Sequence, residues 1–305
     1  MTRTELPIAC AVNDRYVLPL AVMLTSLMEH LRLWYRPVLH LFHRGLSADS
    51  VAAISRLVET HSMVPDGAIE SWIPAHPHFP LEATYPLLLP ALLPGSLGRV
   101  LFLDADLLVL DDVAPLWESD LDGRALAAAP DCAIPLCSSP RAVKQRDSLG
   151  VPDDAVYFNA GVMLIDLDAW RQREVAARAL DYLRANAEQA DFLHQEALNA
   201  VLWNDWLPLA PRWNLLASVA GRRYGPRCDD WTNPGIVHFA GRFKPWHAPV
   251  GGPFDAPYRE FLGRVRDRVP AARPRWTWQL LSLYDRYLRD YLYGCERALW
   301  NRRLL

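Results

Sequence analysis

The sequence predicts an α/β fold: a sheet of buried strands with helices on both faces. Two observations carry that expectation. Short, continuous apolar runs recur along the chain, as strands buried on both faces require. Between them lie longer segments whose apolar residues recur at helical spacing. A third observation adds direction. Two carboxylates, Asp104 and Asp106, follow the apolar run RVLFL directly, and ligands in such folds bind beyond the carboxyl ends of strands.

Taken in order, IACAV reads as a buried strand, LPLAVMLTSLMEHL as a helix and PVLHLF as a second strand. SADSVAAISRLVETH reads as a helix, with a serine placed to cap it and a stripe at Val51, Ile54, Leu57 and Val58. A Pro- and His-rich loop, IPAHPHFP, precedes the strand RVLFLD. VMLIDL and GIVHFA are further strands. The helix DFLHQEALNAVLW between them sets Leu193, Ala197 and Val201 on one side, with Gln195 and Asn199 roughly opposite. After about residue 250 the character changes. A GGP turn and the link VPAARPRW lead to an aromatic helix, QLLSLYDRYLRDYLYGCERALWNRRLL. The expected division is therefore a main domain over 1–250 and a C-terminal extension over 251–305.

Composition narrows the classes. The chain has 305 residues, 51% of them hydrophobic, which is ample for one large core. A net charge of −3 with dispersed basic residues gives no reason to propose nucleic acid as a partner. The five cysteines are scattered without metal-type pairing, which points to a reducing compartment. MTRTELPIACAVNDRY carries no signal-peptide core, and VLPLAVMLTSLM is too short to span a bilayer. A soluble, cytosolic chain is the expectation.

Ionised carboxylates in oily surroundings need compensation. Residues i and i+2 of an extended backbone point to one side, so Asp104 and Asp106 can share a divalent cation, with Ala105 between them. Hard oxygen ligands suit Mg²⁺ or Mn²⁺. His238, at the end of GIVHF, adds a softer donor that favours Mn²⁺ over Mg²⁺. All three are expected along one edge of one sheet. In the same stretch Gly241 permits close backbone approach and Lys244 suits phosphate. Asn159, before the small pair Ala160–Gly161, can aim an amide at a polar ligand. Each motif alone has a plainer reading: a solvated turn, a core histidine, an Asn-capped loop, an amphipathic helix.

Together, AVNDRY, LFLDADLLV, AAPD, FNAGVMLIDLDAW, HQEALN and HFAGRFKPW occur in an order and spacing that resemble glycosyltransferase family 8 over roughly residues 6–250. That family contains glycogenin and bacterial lipopolysaccharide galactosyl- and glucosyltransferases. The resemblance implies a GT-A fold with a Rossmann-like mixed sheet, Mn²⁺ (Mg²⁺ as the alternative), a UDP-glucose or UDP-galactose donor, and transfer with retention to a glycan or glycolipid. It implies that Asn13 and Tyr16 contact the uridine. Asp104 and Asp106 would hold the metal with His238, and Gly241 and Lys244 would meet the diphosphate. Asp131 and Asn159, with Ala160, would contact the sugar, and Gln195 would lie at its reacting face.

Two stretches depart from the family pattern. ATYPLLLP has no basic residue between His78 and Arg99, which leaves His78 as a substitute phosphate contact. The family's Asp-Gln-Asp is His194-Gln195-Glu196 here, which puts a histidine at the sugar. These departures keep a non-catalytic UDP-sugar-binding or scaffold protein in view. A haloacid-dehalogenase-type phosphohydrolase fits less well, because Leu108 stands where that motif wants Thr or Val and CDDW is a poor match for its later acidic pair.

In the tail, Leu280, Tyr284, Tyr287 and Tyr291 share one helical side. Arg273, Arg275, Arg286, Arg289, Arg297, Arg302 and Arg303 outnumber Asp285, Asp290 and Glu296. With Trp276, Trp278 and Trp300 this pattern suits a peripheral membrane helix, a reading the family resemblance favours over a helix docked on the catalytic domain.

Overall fold

The computed structural model describes residues 3–74, 80–186, 188–220, 232–241, 244–249 and 252–270. Among the described residues ten strands form two sheets: β1 (Thr4–Ala11), β2 (Tyr35–Phe42), β3 (Glu59–Met63), β4 (Arg99–Leu103), β5 (Leu107–Val109), β6 (Leu126–Pro130), β7 (Phe158–Asp166), β8 (Trp206–Pro208), β9 (Leu215–Leu216) and β10 (Ile236–His238). The large sheet has the order β3-β2-β1-β4-β7-β6-β8. Only β7 runs antiparallel to its neighbours β4 and β6, so the sheet is mixed.

Strand residues alternate between two apolar layers, as the two-residue period of a strand dictates. Leu6, Ile8 and Cys10 of β1 and Leu101 and Leu103 of β4 enter one layer. Ala9, Val100 and Phe102 enter the other. The first layer is covered by the helix Val17–His30, buried almost throughout, and by the helix Asp255–Val265. The second is covered by the helices Val175–Asn186 and Leu193–Leu202. Strand order reverses beside β1, and the crevice between the carboxyl ends of β1 and β4 is where such a sheet receives ligands.

The structure differs from the sequence reading in three places. The helix after Ser47 ends at Ser55, and ETHSM forms the edge strand β3 instead of its last turns. Ser47 does cap it, with Oγ accepting from Ser50 N–H at 3.1 Å. The helix Leu193–Leu202 is not amphipathic but buried nearly all round. Asn199 accepts from the Phe158 N–H and donates to its carbonyl, at 2.8 and 2.9 Å, and so pins this helix to β7. Finally, His238 does not share a sheet with β4. It ends β10, in a three-stranded sheet of order β5-β10-β9.

His78 and the basic aromatic tail of 271–305 lie outside the described residues. Among the described residues, no helix is long and apolar enough to cross a membrane. Cys10 and Cys137 are buried free thiols, while Cys132 is disulfide-bonded, which the scattered spacing did not signal.

Candidate active site

Asp104 leaves β4 with its N–H donated to the Gly161 carbonyl of β7 at 2.8 Å. The chain turns through Ala105 and Asp106 into β5, which pairs antiparallel with β10 so that His238 lies opposite Leu107. The Phe239 N–H closes the corner on the Asp106 carbonyl at 3.0 Å. The two sheets meet here, and the turn between β4 and β5 brings both carboxylates to the histidine. His238 Nε2 stands 3.6 Å from Asp104 Oδ2 and 3.4 Å from Asp106 Oδ1.

One oxygen or nitrogen from each of the three residues lies within 4.8 Å of the others. Adjacent ligands of an octahedral cation stand about 3 Å apart when each is about 2.1 Å from the ion. The trio therefore fits a divalent cation with little movement. Two hard carboxylates and one imidazole suit Mn²⁺ or Mg²⁺.

Gly161 makes this approach possible. A Cβ built there would meet His238 Cε1 at 2.3 Å, His238 Nδ1 at 2.7 Å and Asp104 Oδ2 at 2.9 Å. Behind His238, Asn214 takes the outer nitrogen: His238 Nδ1 and Asn214 Oδ1 are 3.0 Å apart. Asn214 Nδ2 donates to Asn159 Oδ1 at 2.8 Å, which fixes the amide's orientation. Nδ1 of His238 is then the donor, and the lone pair of Nε2 points to the carboxylates, as a metal ligand needs.

The chain of contacts continues inward. Asn159 Nδ2 donates to Asp131 Oδ2 at 2.9 Å, and Gln195 Nε2 donates to the same oxygen at 3.2 Å. Asp131 Oδ1 accepts from Ala133 N–H and Ile134 N–H. Gln195 Oε1 accepts from Ala160 N–H at 3.0 Å. Asp131, Asn159, Asn214, Gln195 and His238 are all buried. An unbroken hydrogen-bonded path thus runs from the metal-type trio to Gln195.

Lys244 Nζ donates to Asp106 Oδ2 and, at 2.9 Å, to the Phe239 carbonyl. It lies 5.8 Å from the Tyr16 ring and 5.6 Å from the Trp246 ring, and those rings meet edge-on at 5.5 Å. Gly241 adopts φ +93°, a left-handed conformation that favours glycine. Asn13 lies just beyond β1 and caps the turn Asp14–Tyr16, its Oδ1 accepting from Arg15 N–H.

The electrostatics follow from this packing. Burial pushes the Asp104 carboxyl above its usual range, and Asp106 beside it adds to the rise. Burial also opposes ionisation of Asp106, but Lys244 and His238 outweigh it and hold that carboxyl well below the usual range. His238 is lowered by burial, yet Asp106 and Asp104 more than offset this, so its pKa is raised.

The departing positions are also placed. Burial lowers His194 to about 4, so it is neutral near pH 7. The backbone of Ala83 beside the imidazole offsets part of that lowering, and among the described residues its buried Nδ1 has no hydrogen-bond partner. The two departures from the family pattern therefore touch. Glu70, ion-paired with Arg44, accepts the hydroxyl of Tyr85 in the same stretch. Glu196 is bound by the Tyr182 hydroxyl and by the Lys144 and Asp191 N–H groups, a structural role.

Asn214 was invisible to sequence reasoning, because PRWN carries no chemical signature until β9 pairs with β10. The tight contact at Gly161 likewise needs the fold to be seen.

The model for glycosyl transferase family 8 matches residues 7–249. The chain belongs to glycosyltransferase family 8. General stress protein A of Bacillus subtilis (strain 168) is 26% identical over 281 residues, 85% of this chain and 93% of that protein. A probable galacturonosyltransferase-like protein of Arabidopsis thaliana is 28% identical over 169 residues, and this chain spans only 46% of its length. Among solved structures, the galactosyltransferase LgtC in complex with donor and acceptor sugar analogs superposes with TM-score 0.70 at 24% identity, over 87% of this chain and all of that one. That likeness establishes the GT-A fold.

Proposed function

We propose that this glycosyltransferase moves a hexose from a UDP-sugar to a hydroxyl of a glycan or glycolipid, with retention at the anomeric carbon and with a divalent cation, Mn²⁺ before Mg²⁺. The observation that carries the reading is the buried path from Asp104, Asp106 and His238 through Asn214, Asn159 and Asp131 to Gln195. It couples a cation site to a hydrogen-bonding surface for a sugar, which is what a nucleotide-sugar donor presents. The acceptor class rests on the family resemblance.

A cation held by Asp104, Asp106 and His238 would supply electrostatic stabilisation to the departing diphosphate. The remaining work falls to the chain's own groups. Asn13 and Tyr16, in the turn that follows β1, flank the nucleoside. Lys244 sits within reach of the diphosphate position and adds a positive charge there. Asp131 is an acceptor for sugar hydroxyls, held by four N–H donors. Gln195 is a poor nucleophile, and its Oε1 is already engaged by Ala160. We assign it to positioning the anomeric centre, with the acceptor hydroxyl entering on the face that UDP leaves through an oxocarbenium-like state. The site would work at the cytosolic side of a membrane, as the composition of the tail and the family suggest.

The test is turnover. UDP-glucose, UDP-galactose and other UDP-hexoses are incubated with Mn²⁺, and UDP release is followed with and without oligosaccharide acceptors. Cation-dependent release that Asp106→Asn abolishes supports the reading. UDP-sugar binding without turnover of any donor would leave a binding protein in its place.

A further inference from the structure

The two oxygens of Asp106 face different partners. Oδ1 lies 3.4 Å from His238 Nε2, within the trio that fits a divalent cation. Oδ2 accepts from the ammonium of Lys244. Asp104 differs. Among the described residues it pairs with His238, at 3.6 Å, and with no lysine or arginine.

Lys244 is seated against Asp106 rather than trailing into solvent. Its side chain is 11% exposed, and that of Asp106 is 9% exposed. Nζ donates a second hydrogen bond, at 2.9 Å, to the Phe239 carbonyl. The Tyr16 and Trp246 rings stand 5.8 and 5.6 Å from it, within the range where an aromatic ring attracts a cation. These walls are themselves supported. Trp246 and Tyr258 are buried with ring centroids 6.3 Å apart, and Tyr258 meets Phe239 edge-on at 4.8 Å. One carboxylate, one carbonyl and two rings therefore make a fixed seat for the ammonium.

The seat changes what a cation meets. Asp104 and Asp106 bring two negative charges, and Lys244 cancels one of them. A divalent cation and the ammonium would also share the Asp106 carboxylate, and like charges that close in a buried site repel strongly. A diphosphate presents negative charge to both and removes the conflict. The flexible stem and rotatable donors of a lysine allow its ammonium to change partner.

We propose that Lys244 is a charge gate: seated on Asp106 it opposes a divalent cation that arrives alone, and a diphosphate that draws the ammonium off Asp106 opens the site to the cation. The inference rests on the UDP-sugar reading and goes beyond it. Lys244 is then more than a diphosphate contact, because it makes cation and nucleotide bind cooperatively, each favouring the other by the same factor. Uridine, which has no phosphate, cannot open the gate.

The test is titration of the full chain with Mn²⁺, read by electron paramagnetic resonance, alone and with UDP or uridine. It needs no turnover. Lys244→Met removes the charge and keeps an unbranched stem, so Mn²⁺ alone should bind about tenfold tighter than to the wild type. The enhancement of Mn²⁺ binding by UDP should shrink by at least the same factor, and uridine should enhance nothing. Lys244→Gln is a second neutral variant that keeps a donor for Asp106, and it should behave as Lys244→Met does. Lys244→Arg keeps the charge and should bind Mn²⁺ alone no tighter than the wild type. A damaged fold would weaken Mn²⁺ binding, so tighter binding is not its signature. Neutral variants that bind Mn²⁺ alone no tighter than the wild type overturn the proposal, as does an arginine variant that tightens it equally. The two failures are distinguishable. If UDP leaves the Mn²⁺ affinity of the wild type unchanged, the UDP-sugar reading falls and takes the gate with it. If UDP raises that affinity equally in wild type and Lys244→Met, the UDP-sugar reading stands and the gate falls.

Discussion

Gly161→Ala is a small change with a large consequence at the cation site. The added Cβ would lie 2.3 Å from His238 Cε1 and 2.9 Å from Asp104 Oδ2, where ordinary contact begins near 3.4 Å. Either the ring withdraws by about 1 Å or β7 does. The strand is held on both sides by β4 and β6, and His238 is buried and tied to Asn214. Close-packed interiors yield little, so the cost to the fold is about 1–3 kcal/mol. Metal–ligand distances tolerate only about 0.2 Å. A 1 Å displacement of one ligand therefore exceeds what the site can absorb, and Mn²⁺ affinity should fall at least 10- to 100-fold, the scale known for losses around metal ligands. Backbone strain is not involved, because Gly161 does not have positive φ. Titration with Mn²⁺ in the presence of UDP, read by electron paramagnetic resonance, measures the affinity, and thermal melting measures the fold. A variant that melts lower but binds Mn²⁺ as the wild type does would refute the argument that this glycine shapes the site.

Three further outcomes follow. Asn214→Ala frees the outer nitrogen of His238 and should weaken Mn²⁺ binding about 10- to 100-fold by the same titration, while unchanged affinity would remove Asn214 from the site. Asn199→Leu strands the Phe158 N–H and carbonyl, and at about 1–3 kcal/mol for each unpaired group a loss of roughly 2–6 kcal/mol is expected in denaturant unfolding; a loss under 1 kcal/mol contradicts the pinning role. The raised pKa of His238 means that the fold favours its protonated form, so this contribution to stability is fully present below the usual imidazole range and is lost as pH rises through the raised value. Cation binding requires the opposite state. Melting of the metal-free protein should therefore fall slightly as pH rises past about 6.5, while Mn²⁺ affinity rises over the same interval. An affinity that is flat with pH would exclude His238 as a ligand.

How far the sequence carried depends on whether a feature is local. β1, β2, β4, β7 and β10 were legible because each is an apolar run buried on both faces. β3 was not, because ETHSM is a largely exposed edge strand that continues a helical pattern. LAAAP of β6 is rich in the best helix former and becomes a strand only through its pairing with β7 and β8. The candidate site residues came from motifs, and the fold brings them together: Asp104, Asp106 and His238 converge, and Asp131, Asn159 and Gln195 join one another. Their mode of convergence was not legible. His238 arrives from a second sheet, Asn214 from the short turn Pro211–Asn214 that leads into β9, and Gly161 acts through the space it leaves. Each of these depends on pairing between residues far apart in the chain. The contact of His194 with Ala83 is of the same kind, joining two departures that lie more than a hundred positions apart.

The central claim is a cation-dependent nucleotide site built on Asp104, Asp106 and His238. Its most direct test is thermal melting with UDP, with Mn²⁺ and with both, followed by a panel of UDP-sugars. Ligand at about 100 times its Kd adds roughly 2.7 kcal/mol to the folded state, a shift easily seen. The account predicts that UDP stabilises strongly only when Mn²⁺ is present and that Asp106→Asn abolishes the effect. Stabilisation by UDP that is indifferent to Mn²⁺, or no stabilisation by any nucleotide, would contradict it.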